Sequence, residues 1–372
     1  MLKNKKYILF LITIISIFIT FLVLEVGYRF LVKSNIINLK VMLYQVGKNF
    51  KNEKDFVIYQ PNQSIRHMTL FTKEEIVSPN DIIIETDYNI ETNNLGLVMK
   101  KDIYKNDRVL LVIGDSFTEG QGAEPWFYDL EKDNYLNTKL MNLGIMGSGP
   151  MGWLSLTNHL KEKNSLNIDG VIINIILPDL YRLKWTHNEN QKKCLYEGFC
   201  NYRGAFQGID FKKYKSYEEI IKYEFLNKNR KIGSGNDIII NSGFLAFTKS
   251  ILKQSKLLKD IYYGIVRNYF QNPKILKRNI DAISKINEIA YKNLYVNIIT
   301  TKNINKNNYI LDKNYKFFFK YLNENKIDFS WCEISIDGFH KFDDHPNEIG
   351  YNKIRDCTSK SLLNLKNVNK LY

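Results

Sequence analysis

Three short apolar runs constrain the fold of this sequence more than any other feature. Val109-Leu110-Leu111-Val112-Ile113 is ended by Gly114, and similar runs cover 170–177 and 294–300. Uninterrupted β-branched and leucine residues are typical of strands that are buried on both faces of a parallel sheet. Helix-like stretches lie between and after these runs, around 152–163, 277–292, 314–324 and 348–365. Strands that alternate with helices predict a three-layer α/β/α fold with a doubly wound, mostly parallel sheet.

An uncharged apolar stretch from Tyr7 to Leu24 predicts one N-terminal transmembrane helix. As a helix it would span about 27 Å, just enough to cross the hydrocarbon core of a bilayer. A cleaved signal peptide is the alternative, but its apolar region is usually shorter and ends in small residues. Lysines at positions 3, 5 and 6 precede the stretch, which favours a cytoplasmic N-terminus. We therefore expect a single-pass protein of the cell membrane with a large extracytoplasmic part.

The sequence divides into three regions. Apolar residues make up 44% of the 372 residues, which excludes a wholly disordered chain. Residues 1–35 would hold the cytoplasmic tip, the anchor and a juxtamembrane segment, and 36–107 a stalk and an N-terminal embellishment. Residues 108–372 would form the α/β domain. An insertion at about 183–270, rich in Tyr, Lys and Asn, would lie near the ligand crevice and serve as a lid.

The charge balance and the cysteines indicate possible partners and the cellular compartment of the protein. The net charge of 53 − 39 = +14 favours anionic partners, but it is spread along the chain, so nucleic-acid binding is not predicted. The four cysteines fit an oxidising compartment, with Cys194 and Cys200 close enough in sequence to form a disulfide. Buried free thiols are the alternative. Zinc is not predicted, because no CxxC or HxxxH spacing accompanies the cysteines Cys194, Cys200, Cys332 and Cys357.

The apolar run ended by Gly114 leads directly into a candidate nucleophile. Ser116 stands two residues after that glycine, where a helix should begin. This placement would expose its hydroxyl at the carboxyl edge of the sheet, with the backbone N–H groups of the turn facing an oxyanion. A serine that only caps the following helix is the alternative.

Two further segments support the interpretation of Ser116 as a nucleophile. Residues 142–150, Asn-Leu-Gly-Ile-Met-Gly-Ser-Gly-Pro, form a glycine-rich turn in which backbone can approach a reacting group. Near the C-terminus, His345 lies in Asp343-Asp344-His345-Pro346-Asn347, just before a predicted helix. A histidine flanked by carboxylates can act as a general base held in one tautomer. No such motif surrounds the remaining histidines, which we expect to be structural or exposed: His67, His159 and His187.

In this order and spacing, the three segments resemble the SGNH (GDSL-like) hydrolase superfamily over about 108–365. The membrane-anchored bacterial branch is the most similar, since it shares a Glu-x-x-x-Arg pair, here Glu25 and Arg29, and an upstream element, here Asn94-Leu95-Gly96. The resemblance implies a flavodoxin-like sheet. It also implies that Ser116 is the nucleophile and that its own N–H lies in the oxyanion hole. Gly144 would give the second oxyanion N–H, His345 would be the base, and Asp343 would orient it.

The sequence departs from the family pattern in two places. Pro178 stands where the family has an oxyanion-hole Asn, and Asn174, earlier in the same strand, should point elsewhere. Loss of one oxyanion donor costs about 10²–10³ in rate. The family's acid usually lies three residues before the histidine, at the place of Phe342, so Asp343 is chosen over Asp344 as a frequent variant. Asp337 and His340 match the usual spacing literally, but the residues after His345 match the family: Pro346, Asn347 and Gly350.

The resemblance and the expected anchor together predict an extracytoplasmic serine esterase. Its substrates would be O-acyl esters, of cell-envelope or exported polysaccharide. A polysaccharide O-acetyltransferase, or an accessory subunit of one, would use the same serine and histidine. A non-catalytic glycan-binding relative is a third interpretation, favoured by Pro178. No metal or organic cofactor is predicted, and the sequence contains no Walker or dinucleotide glycine motif.

Overall fold

A computed structural model describes most of two regions of the chain, before and after the predicted insertion. The described ranges are 39–45, 50–53, 56–72, 82–132, 138–184, 206–209, 272–301 and 315–365, with isolated positions elsewhere. One compact unit comprises Leu39–Gly235 and Gln271–Tyr372. A second comprises Met1–Asn38 and Asn236–Phe270, and of it the structure describes only six helical positions between residues 13 and 23.

The described strands and helices are numbered in chain order. The strands are β1 Leu39–Gln45, β2 Phe50–Glu53, β3 Phe56–Tyr59, β4 Ser64–Thr72, β5 Ile82–Glu91, β6 Arg108–Gly114, β7 Lys139–Gly144, β8 Asn167–Ile175, β9 Phe206–Ile209, β10 Leu294–Thr301 and β11 Asp328–Ile334. The helices are α1 Ser116–Glu119, α2 Phe127–Leu130, α3 Pro150–Asn164, α4 Pro273–Ile289, α5 Lys316–Glu324 and α6 Glu348–Asn364. Short 3₁₀ turns cover Leu177–Tyr181 and Ile336–Gly338.

A parallel sheet of five strands forms the centre of the larger unit. Its order is β11-β10-β8-β6-β7, and each neighbouring pair is parallel. The chain starts in β6, moves outward to β7 and then returns past β6 to β8. Ligands of such sheets bind at the carboxyl ends of the strands where the order reverses, here between β6 and β8. The predicted parallel sheet is confirmed, and the residue that follows β6 lies at this crevice.

Helices cover both faces of the central sheet. On one face, β8 presents Asn174 to α6, where its Nδ2 lies 3.2 Å from Thr358 Oγ1. Ile173 and Ile175 point to the opposite face because side chains alternate along a strand, and both are fully buried. The helices α3 and α4 pack against each other and contact β6 and β8. The arrangement is the predicted α/β/α sandwich.

A second sheet lies N-terminal to the central one in sequence. Its order is β5-β4-β1-β9, antiparallel except for the β1–β9 pair, and β2 pairs with β3 in a separate hairpin. Tyr128 of α2 donates its hydroxyl to the backbone oxygen of Glu91 at 2.9 Å. Residues 39–107, where we predicted a stalk and an N-terminal embellishment, lie in the same compact unit as the central sheet. One strand of this sheet, β9, comes from the predicted insertion.

Three predictions fall on parts of the chain outside the described residues. These are the lid at 183–270 apart from β9 and a few single positions, the Cys194–Cys200 disulfide, and most of the anchor from Tyr7 to Leu24. Within the described residues, no helix has the length and apolarity needed to cross a membrane.

A disulfide that the sequence did not single out joins Cys332 of β11 to Cys357 of α6. The two residues are 25 positions apart in the chain. The bond ties α6 to the edge strand of the central sheet. Because α6 begins just after His345, this crosslink also supports the segment that carries the candidate base.

Candidate active site

Ser116 is the first residue of α1, and only Asp115 separates it from the end of β6. Asp115 caps the helix, since its Oδ1 accepts the Phe117 N–H at 3.0 Å. Gly120 ends the helix after one turn with φ +95, a conformation that favours glycine. Within the part of the chain that the structure describes, the Ser116 N–H has no hydrogen-bond acceptor. It is one of the first N–H groups of a helix, which have no partner inside the helix.

The structure brings together the three residues predicted to act on an ester. The Nε2 of His345 lies 2.8 Å from the Oγ of Ser116, and its Nδ1 lies 2.7 Å from Oδ1 of Asp343. Asp343 is buried, whereas Asp344 points into solvent. The side chain of Phe117 lies beside the imidazole, with ring centroids 5.4 Å apart. A carboxylate, an imidazole and a hydroxyl in sequential contact can deprotonate the hydroxyl as it attacks a carbonyl carbon.

His340, the other histidine with an Asp at the family's usual spacing, contacts backbone groups. The Nε2 of His340 lies 2.8 Å from the backbone oxygen of Gly122, and the His340 N–H donates to the backbone oxygen of His345 at 3.0 Å. Asn347 caps α6 through an Ile349 N–H···Oδ1 bond of 2.9 Å. His340 therefore supports the two loops on either side of the serine, and His345 is the histidine in contact with it.

The family resemblance implied that the Gly144 N–H is an oxyanion donor, but this N–H already has a hydrogen-bond acceptor. It donates to the Oδ1 of Asn142 at 2.9 Å. A Cβ on Gly144 would lie 2.1 Å from the backbone nitrogen of Glu119, so glycine is required there for α1 to pack on β7. This contact argues against Gly144 as an oxyanion donor and accounts for the glycine by packing.

A second glycine in the same turn fits the donor role better. Gly147 has φ +67, and among the described residues its N–H has no hydrogen-bond acceptor. The turn follows β7, whose last residue pairs with the last residue of β6, so it lies at the same sheet edge as Ser116. The sequence signal was the glycine-rich turn itself, but the sequence did not show which of its N–H groups was free.

Pro178 lies in the 3₁₀ turn after β8 and offers no N–H or side-chain donor. The next acidic residue, Asp179, is fully buried and faces Arg182, whose Nη1 lies 2.9 Å from its Oδ1. The same Nη1 lies 2.8 Å from Oδ2 of Asp115, the residue that caps α1. Burial, and secondly the charge of Asp115, raise the pKa of Asp179 well above its usual range. The turn thus anchors the start of α1, and Asn174 faces α6 instead, as predicted.

A buried glutamate in the serine's own helix links three parts of the structure. Glu119 accepts the Tyr59 hydroxyl on Oε1 and the Met146 N–H on Oε2, both at 2.7 Å. Burial raises the pKa of Glu119 to about 7, even though both hydrogen bonds act in the opposite direction. Through it, α1 is bonded to β3 and to the residue before Gly147. This link could not be predicted from the sequence, because its partners are remote along the chain.

The remaining predicted positions show no contact with the serine. His159 lies on α3, where its Nε2 is 3.2 Å from Oε1 of Glu53, and His67 is buried in β4. His187 is outside the described residues. Among the described residues, no group of three or more His, Cys, Asp or Glu side chains is arranged to hold a metal ion.

Comparison with known proteins gives distant structural similarity only. No family model matches the sequence, and no curated protein matches it. Among solved structures, a GDSL-like lipase from Bacteroides thetaiotaomicron is 12% identical with a TM-score of 0.33, over 69% of this chain and 89% of that one. An acetylxylan esterase from Geobacillus stearothermophilus is 11% identical with a TM-score of 0.32, over 69% and 95%. At these values the similarity decides neither fold nor activity.

Proposed function

We propose that this chain is a serine esterase of the SGNH (GDSL-like) type. The observation that carries the proposal is the continuous contact from Asp343 through His345 to Ser116, at 2.7 and 2.8 Å. In this geometry Nε2 of His345 takes the proton of the serine hydroxyl while Oγ attacks the ester carbonyl. Asp343 accepts a hydrogen bond from the Nδ1–H group, which fixes the tautomer and stabilises the imidazolium that forms.

The oxyanion of the tetrahedral intermediate would be stabilised by backbone donors. The N–H groups of Ser116 and Gly147 lie at this sheet edge, and neither has an acceptor among the described residues. Pro178 adds none, so this site would work with fewer donors than the family pattern implies. Each such donor contributes about 2.7–4 kcal/mol to transition-state stabilisation, and we expect a correspondingly slow enzyme.

Collapse of the intermediate would leave an acyl group on Ser116 and release the alcohol. His345 returns its proton to the leaving oxygen, and water then attacks the acyl-enzyme with the same histidine as base. An acceptor sugar hydroxyl in place of water would give acyl transfer. The two outcomes use the same residues, so the acetyltransferase remains the second candidate function. The contact between serine and histidine argues against the non-catalytic, glycan-binding alternative.

The proposed substrates are O-acyl esters of cell-envelope or exported polysaccharide, met outside the cytoplasmic membrane. The apolar stretch from Tyr7 to Leu24 supports this placement, as does the Cys332–Cys357 disulfide. Disulfides persist in extracytoplasmic compartments and are rare in the cytosol.

Hydrolysis of p-nitrophenyl acetate, with and without added acceptor oligosaccharide, tests the proposal. We expect turnover by the wild-type protein and loss of turnover in Ser116→Ala. Ser155→Ala, on α3, is the matched control and should keep full activity. Faster release of p-nitrophenol with an acceptor, together with acetylated sugar, would favour the transferase. Equal activity of Ser116→Ala and wild type would exclude the proposed nucleophile.

A further inference from the structure

A β-bulge in the N-terminal sheet lies against the loop that carries the candidate acid. In the antiparallel pair of β4 and β5, Thr69 is opposite Thr86 and Leu70 is opposite Ile84. Glu85 is therefore an extra residue with no partner of its own on β4. A bulge of this kind turns a side chain out of the regular alternation and is frequent next to active sites.

The displaced side chain reaches a single backbone group. Oε1 of Glu85 accepts the N–H of Phe342 at 2.7 Å, across 257 positions of the chain. Phe342 immediately precedes Asp343. Its ring also packs on Phe71 of β4, with centroids 5.7 Å apart. The second sheet thus holds this one residue through both its backbone and its side chain.

The same loop needs support because it carries the acid on a short irregular segment. Asp343 and His345 lie between the Ile336–Gly338 turn and the start of α6, outside any strand or long helix. The C-terminal side of the loop is fixed by Asn347, whose Nδ2 donates to the backbone oxygen of Asp337 at 2.7 Å. On the side of Asp343, Glu85 and Phe71 hold the preceding residue, and Nζ of Lys341 lies 5.2 Å from the centroid of its ring.

We propose that Glu85 is a positioning residue: its carboxylate holds the Phe342 backbone so that Asp343 stays in hydrogen-bond contact with His345. The inference rests on the proposed esterase function. The N-terminal sheet would then be part of the catalytic apparatus, although none of its described side chains is hydrogen-bonded to the serine hydroxyl.

The rate of Ser116 labelling by a fluorophosphonate probe tests the inference on the full chain. Glu85→Ala should lower the maximal labelling rate about 10- to 100-fold, the size of effect that a displaced catalytic group produces, with little change in probe affinity. Glu85→Gln keeps an acceptor oxygen and should label within about threefold of wild type. Asp87→Ala is the matched control, because Asp87 lies on the same strand but pairs with Arg66, and it should leave the rate unchanged.

A double-mutant cycle separates positioning from a general loss of structure. In an Asp343→Ala background, adding Glu85→Ala should cause no further loss, because the group that Glu85 positions is already gone. If Glu85→Ala fails to fold, Glu85→Asp keeps the charge but shortens its reach, and it should show the same loss and the same non-additivity. Labelling of Glu85→Ala at the wild-type rate, or an equal loss in both backgrounds, would overturn the inference alone. A folded wild-type protein that takes no label on Ser116 would instead overturn the proposed function, and the inference with it.

Discussion

Asp343 and Asp344 are adjacent carboxylates in different surroundings. Asp343 is buried and its Oδ1 is hydrogen-bonded to Nδ1 of His345, whereas Asp344 is exposed. Only a carboxylate in contact with Nδ1 can hold the histidine in the tautomer that leaves Nε2 free to accept the serine proton.

We therefore expect Asp343→Ala to reduce ester hydrolysis about 10³- to 10⁴-fold. Asp344→Ala is the matched control and should retain activity within about twofold, because surface substitutions have small effects. Steady-state kcat/KM for p-nitrophenyl acetate distinguishes the two. Similar losses in both variants would contradict the assignment of the acid.

Glu119 makes stability depend on pH. Its pKa is about 7 in the folded protein, against an ordinary value of 4.5. Between these values the folded state holds a proton that the unfolded chain has released, so the free energy of unfolding falls as pH rises. Over about 2.5 pH units the loss is about 3 kcal/mol.

Glu119→Gln should remove this slope, because an amide does not titrate. Relative to wild type, we expect its free energy of unfolding to increase between pH 5 and pH 8, by up to about 3 kcal/mol. Urea denaturation at the two pH values measures the difference. A difference that stays constant would show that Glu119 is ionised throughout the range, and a change in the opposite direction would contradict a raised pKa.

The residues that touch the substrate in our account were predictable because they lie in local motifs. Ser116 follows a buried strand, and His345 is flanked by carboxylates and precedes a helix. The choice between Gly144 and Gly147 was not predictable, since it depends on where the Asn142 side chain points. The contacts of Glu119 and Glu85 could not be predicted either, because their hydrogen-bond partners are distant in the chain.

At the scale of elements, α1 approaches β7 at a position where no side chain fits. A Cβ at position 144 would lie 2.5 Å from the carbonyl carbon of Thr118, within the backbone of the serine's helix. Backbone cannot move aside as a flexible side chain could. Gly144→Ala must therefore displace α1 or β7.

We expect Gly144→Ala to destabilise the protein by about 1–3 kcal/mol or more, as overpacking of a core does. Thermal unfolding followed by circular dichroism measures the change. Gly147→Ala is a control in the same turn, with strain from its positive φ but a different position relative to α1. An unchanged melting temperature in Gly144→Ala would mean that the two elements are not packed as described.

The elements that the sequence predicted are those with continuous burial. The strands β6, β8 and β10 each have a long apolar run, and their interiors are buried on both faces. The edge strand β11 reads Asp-Phe-Ser-Trp-Cys-Glu-Ile and is mostly half-buried, so it has no such run. The other edge strand, β7, is short and leads into the glycine-rich turn. The sequence therefore predicted the turn and not the strand before it.

At the scale of the whole molecule, the Cys332–Cys357 disulfide closes a loop around the start of α6. In the chain-entropy account, a crosslink over 25 positions stabilises the folded state by about 3 kcal/mol, because it restricts the unfolded chain. The same bond is in keeping with the proposed extracytoplasmic location, because disulfides persist in oxidising compartments.

Reduction with a membrane-permeable dithiol should therefore lower the free energy of unfolding by about 3 kcal/mol. The Cys332→Ala, Cys357→Ala double variant should show a similar loss and no further response to reductant. Equilibrium urea denaturation measures both. A wild-type protein whose stability is the same before and after complete reduction would contradict a structural role for this bond.

The central claim is that Ser116 is a nucleophile activated by His345. Mass spectrometry of the intact protein after reaction with a fluorophosphonate, followed by peptide mapping, tests it most directly. The account predicts one adduct on Ser116, absent from Ser116→Ala and strongly reduced in His345→Ala, with His340→Ala retaining the label. A folded protein that takes no label, or a label on Ser116 that depends on His340 and not on His345, would contradict it.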